Sequence, residues 1–183
     1  MNENIEQNSR DLIEMLSCHY AEPDDVEEAV SAMTLALSDP SAYMEAFPDY
    51  AWLADMYDRE VFELKLAEDL FTCALSNASI GFGVTGDKGD EIFEAVMDVL
   101  DDMDIEVGEP DSDPGNWFDY AEFLEDQFVK LHANKRLVAL DMDFSDQITV
   151  FVVESADYDK IMELVQFFNL KFVDSSIIPK FNS

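Results

Sequence analysis

Basic residues are scarce: ten Lys and Arg stand against 42 Asp and Glu in 183 residues, a formal net charge of −32. Binding to nucleic acid or to an anionic membrane rests on Lys and Arg neutralising phosphate, so the shortage argues against both as direct partners. Cysteine is sparse as well. Cys18 and Cys73 are too few for a disulfide framework and read as reduced, buried, small apolar groups of a cytoplasmic protein. No apolar run approaches the roughly 18 to 20 residues needed to cross a bilayer. The start, Met1-Asn-Glu-Asn-Ile-Glu, has neither the basic cluster nor the apolar stretch of a secretory signal.

Apolar material is plentiful. The hydrophobic fraction is 48%, with 14 Phe, 6 Tyr and 2 Trp, which suits a chain with a real core and not a disordered acidic tail. The charge is unevenly placed. Residues 1–126 hold 34 acids and four bases, whereas residues 127–183 hold eight acids and six bases. A surplus of this kind favours basic proteins and cations as partners, or serves solubility alone.

The pattern predicts an α+β fold: a helical N-terminal half followed by a small mixed sheet with an antiparallel hairpin, covered by helices. Apolar residues recur at helical spacing over residues 3–18, 23–37, 43–47 and 51–75. The short β-branched and aromatic run 79–84 predicts a strand, with a turn at Thr85-Gly-Asp-Lys-Gly. Helices follow over 90–100 and 117–131, separated by a loop rich in Asp, Glu, Pro and Gly. Residues 136–143 and 148–153 are nearly continuous apolar strands joined by a connection short enough for a hairpin, and so are central. A helix over 158–168 and a strand over 170–174 complete the outline. The expectation is one domain, with a helical lobe (1–77) and an α/β lobe (78–183).

Asp39-Pro-Ser-Ala-Tyr-Met-Glu-Ala-Phe-Pro, Asp119-Tyr-Ala-Glu-Phe-Leu and the hairpin Arg136-Leu-Val-Ala-Leu-Asp-Met-Asp-Phe-Ser-Asp-Gln-Ile-Thr-Val-Phe-Val-Val occur in an order that resembles an uncharacterised bacterial family, domain-of-unknown-function family 6630. The resemblance runs from about residue 10 to 174 and departs from the family pattern at Phe144 and at Gly81-Phe-Gly. It implies a fold and carries no activity.

Catalytic constellations are poorly supplied. Cys18 and His19 are sequence neighbours, which do not face each other on a helix, and His132 lies far along the chain. The run Gly81-Phe-Gly-Val-Thr-Gly-Asp-Lys-Gly sits between a strand and a helix, the context of a phosphate cradle. It lacks the Gly-Lys-Ser/Thr ending, and Asp87, Asp90 and Glu91 oppose phosphate, so a tight turn is the better reading.

Carboxylates are the remaining chemistry. Asp111, Asp113, Asp119 and Glu122 fit the first, third, ninth and twelfth positions of a calcium-binding loop, against Pro114 and a missing fifth ligand. The alternative there is a helix cap on Asp113 or Asn116. Asp141, Asp143 and Asp146 cluster at the hairpin tip, where Asp141 and Asp143 share a strand face and suit calcium or magnesium, or else serve the turn. Glu91, Glu94, Asp98, Asp101, Asp102 and Asp104 form a ridge at helical spacing. It suits a basic protein surface, as in an immunity protein or a mimic of DNA, or is simply a solvated face. A non-enzymatic binding module without a cofactor is the leading expectation, and a carboxylate-based metal binder or enzyme the competing one.

Overall fold

The structure, a computed structural model, describes residues 2–56, 62–79, 82–110, 114–141 and 146–174. The chain opens with α1 (Asn2–Leu16), α2 (Pro23–Ser38), α3 (Pro40–Ala46), a 3-10 helix (Pro48–Met56) and α4 (Phe62–Ala78). It continues through β1 (Gly83–Gly86), α5 (Gly89–Asp102), α6 (Trp117–Leu131), β2 (Lys135–Asp141), β3 (Ile148–Glu154), α7 (Tyr158–Phe167) and β4 (Phe172–Asp174). The class is α+β. The sheet runs β1-β3-β2-β4, and the hairpin strands β2 and β3 are its centre, as their apolar runs require. Every described pairing is antiparallel, so the sheet is not mixed. Each strand returns beside a partner running the other way, as hairpins and short helical connections allow.

Local chemistry sets the element ends. Pro23 and Pro40 occupy first-turn positions of α2 and α3, where a missing N–H costs nothing. Asp39 caps α3 by accepting from the Ala42 N–H at 3.0 Å. Asn116 caps α6, accepting from Phe118 and Asp119 N–H groups at 2.9 and 3.2 Å. At the other end His132 turns left-handed (φ 52°) and donates its N–H to the Phe128 and Val129 carbonyls.

Two expected elements differ. The helix anticipated over 51–75 is a 3-10 helix as far as Met56 and α4 from Phe62, with residues 57–61 outside the described ones; Leu53 is the sole buried side chain of Pro48–Met56, so no α-helical stripe exists there to bury. Of the strand expected over 79–84, Ile80 and Gly81 lie outside the described residues, Ser79 and Phe82 are in a turn, and the described strand is Gly83–Gly86, taking in Thr85 and Gly86. Ser79 instead ends α4: its Oγ donates to the Ser76 carbonyl at 2.6 Å, and its own carbonyl accepts from Phe82 and Gly83.

Strand alternation divides the interior into two cores. Val138, Leu140, Phe151 and Val153 face α1, α2, α4 and α7. Leu137, Ala139, Val150 and Val152 face α5 and α6. Both faces of the sheet are therefore covered, and the N-terminal helices share their core with the C-terminal hairpin.

The glycines beside β1 serve close packing. A Cβ on Gly89 would stand 2.5 Å from the Trp117 backbone nitrogen and 2.8 Å from the Asn116 carbonyl carbon. A Cβ on Gly83 would meet Phe151 and Ser79 at 2.9 Å, and one on Gly86 would meet Ile92 at 2.8 Å. Glycine here lets α5 start against α6, which accounts for the run without a phosphate.

Candidate functional site

The ridge lies on α5. Ile92, Phe93, Val96 and Leu100 bury one face of that helix, which turns Glu91, Glu94, Asp98, Asp101 and Asp102 outward, all exposed. Asp104 continues the line just beyond the helix with a left-handed backbone (φ 58°), also exposed. Lys88 pairs with Glu91 at 2.5 Å. Among the described residues, the side chains of Glu94, Asp98, Asp101, Asp102 and Asp104 have no ion pair or hydrogen bond. Helix α6 packs beside α5 on the same face of the sheet and adds Asp119, Glu122 and Asp126, exposed at successive turns. The two helices carry one base between them, Lys130, with Lys88 at the start of α5.

The metal candidates fare differently. Asp111, Asp113 and Asp143 lie outside the described residues. Asp119 accepts from the Asn116 side-chain amide at 2.6 Å, inside the cap that the sequence offered as the alternative to a calcium loop. Glu122 is exposed one turn on. Asp141 is half-buried at the end of β2, its N–H donating to the Lys171 carbonyl at 2.8 Å, and Asp146 is exposed in a bend. Among the described residues, no three His, Cys, Asp or Glu side chains are grouped to hold a metal ion.

The nucleophile candidates face into packing. The Cys18 thiol donates to the Val152 carbonyl at 3.0 Å, and Lys135 Nζ stands 3.7 Å from its sulfur. Burial pushes the Cys18 pKa up, against the pull of Lys135. Lys135 is itself raised: burial works to lower it, but the 2.6 Å bond to Glu154 and the neighbouring Cys18 outweigh that. His19 reaches the other way, to Asp157 at 3.2 Å. Cys73 is pushed up to about 12, first by burial and then by Asp69. Both thiols stay protonated near neutral pH, so neither is an activated nucleophile.

A groove absent from the sequence reading opens on the other side of the sheet. It has a volume of about 660 Å³ and lies among α2, α3 and α4, with Ala29, Ala32, Ala74 and Ala78 leaving the space and Phe47 and Phe82 beside them. Its polar groups are few. The lining residue Asn77 accepts through Oδ1 from Tyr50, outside the lining, at 2.6 Å, and Tyr43, wholly buried, has a hydroxyl without a hydrogen-bond partner among the described residues. Burial drives the Tyr43 pKa upward, with smaller contributions from Cys73 and Tyr50. Glu22, Asp25 and Glu28 form an exposed acidic rim along α2. The available signal was the alanine spacing beside this acid run, but the same spacing describes an ordinary packed helix. A smaller cavity of about 100 Å³ gathers Lys65, Asp69, Asp141 and Lys171, where Lys65 pairs with the buried Asp69 at 2.9 Å.

The chain matches no protein-family model, no curated protein and no solved structure.

Proposed function

We propose that this protein is a non-enzymatic binding module for basic protein surfaces. The observation that carries the reading is the outer face of α5 and α6, where carboxylates project at successive turns with almost no base among them. Rigid helices hold these charges at fixed spacing, so a basic partner meets a preformed array and little ordering is required of the module. Electrostatics of this kind set on-rate and specificity more than depth of affinity, and they weaken as salt shortens the Debye length to about 8 Å at physiological ionic strength. Carboxylates at fixed spacing imitate phosphate groups, which fits a partner whose natural ligand is polyanionic.

The test compares the protein with a ridge variant carrying Glu94→Gln, Asp98→Asn, Asp101→Asn and Asp102→Asn, all exposed positions that leave the core untouched. Both are immobilised and exposed to lysate at low salt, and bound proteins are identified by mass. The expected result is a basic protein held by the native surface, shed at high salt and not held by the variant. Equal retention by the two proteins would overturn the reading.

A further inference from the structure

The groove on α2, α3 and α4 joins two features that rarely coincide in a solvated acidic face. Its lining is mostly apolar, built on alanines with Phe47 and Phe82, and includes no base among the described residues. Its rim is acidic on one side. Glu22 is the N-cap of α2, and Asp25 and Glu28 follow at three-residue steps within the helix, about 4.5 Å of rise apart, so all three line the groove from the start of α2. None of the three side chains is in an ion pair or hydrogen bond with a described residue. Tyr20, 69% exposed, stands at the mouth and offers an aromatic face to a cation.

We propose that this groove seats a basic amphipathic segment of a partner protein, with apolar side chains against Ala32, Phe47 and Phe82 and lysines or arginines against Glu22, Asp25 and Glu28. The inference rests on the recognition of basic proteins proposed above and gives it a second, separate contact. Charge complementarity selects the occupant. A single small amine would answer one carboxylate, whereas a helical segment with a basic stripe beside an apolar one answers all three at the spacing α2 provides. A volume of about 660 Å³ admits several side chains and leaves the mouth open for the rest of the segment. The acidic rim also excludes anionic segments of the same apolarity, which is specificity by repulsion.

The test uses a fluorescent peptide of lysine and leucine arranged at helical spacing, and a scrambled peptide of the same composition, with binding read by anisotropy. The patterned peptide is expected to bind at least about tenfold more tightly than the scrambled one, which corresponds to about 1.4 kcal/mol. Ala32→Trp, which fills the groove, and the rim variant Glu22→Gln, Asp25→Asn, Glu28→Gln should each weaken the patterned peptide about tenfold or more. The rim residues are exposed, so that variant keeps its fold even if the tryptophan does not. Unchanged affinity in the rim variant overturns the proposal. If affinity drops only in the ridge variant of α5, the groove fails while recognition of basic surfaces stands. If neither peptide binds at low salt, both readings fail. Octylamine that binds as tightly as the peptide would make this a small-molecule site and overturn the protein partner.

Discussion

Cys73 sits on α4, close enough to Asp69 and Tyr43 to share their electrostatics, and burial moves its thiol from 9.0 to about 12. The folded protein keeps that proton over a range in which the unfolded chain gives it up. The unfolded state then binds fewer protons, so stability falls as pH rises. Burial is also the first cause raising Cys18, Tyr43 and Tyr50, whose contributions carry the same sign. The melting temperature is therefore expected to hold at neutral pH and to decline between pH 9.0 and about 12. Cys73→Ala should show a shallower decline from a lower starting point. A slope identical to that of the native protein would mean that this thiol is not held protonated by the fold. The sequence pointed to both cysteines being buried, since two sparse thiols behave as small apolar groups, and both are buried. It did not disclose the Tyr43–Tyr50–Asn77 neighbourhood, because those side chains meet only after three helical segments have packed.

The junction of β1, α5 and α6 shows the same division among elements. Gly89 reads as a turn residue in its own neighbourhood, yet the contact that requires it lies at Trp117, far along the chain. Gly89→Ala is expected to cost about 1–3 kcal/mol through forced backbone movement, lowering the melting temperature by roughly 2–10 °C. Gly108→Ala, with nothing within 4 Å of its Cβ position, should be neutral or slightly stabilising, by at most about 1 kcal/mol. Thermal melts of the two variants check the contrast. The hairpin, α6 and its Asn116 cap were legible because each depends on local pattern and turn chemistry. The 3-10 helix was not, because apolar residues at Leu53 and Met56 imitate the start of a helical period although only Leu53 is buried. The ridge could be read from one helix, whereas the groove needed α2, α3 and α4 together.

For the whole molecule, a net charge of −32 concentrated in residues 1–126 makes the folded state repel itself more than the expanded one. Added sodium chloride screens that repulsion, so the melting temperature should climb by several degrees between low and moderate salt. The ridge variant, with fewer charges, should climb less. A melting temperature indifferent to salt would show that the charges lie too far apart to matter to stability. The same charge has a further consequence during synthesis. The core beneath α1, α2 and α4 is completed by Val138, Leu140, Phe151 and Val153, which a ribosome adds late. Until then the first helices expose the apolar faces that the hairpin will cover, a state in which neighbouring nascent chains tend to associate. Thirty-four acids against four bases over residues 1–126 keep those unfinished chains apart, so the surface proposed to attract a basic partner also guards its own chain while it waits for the hairpin.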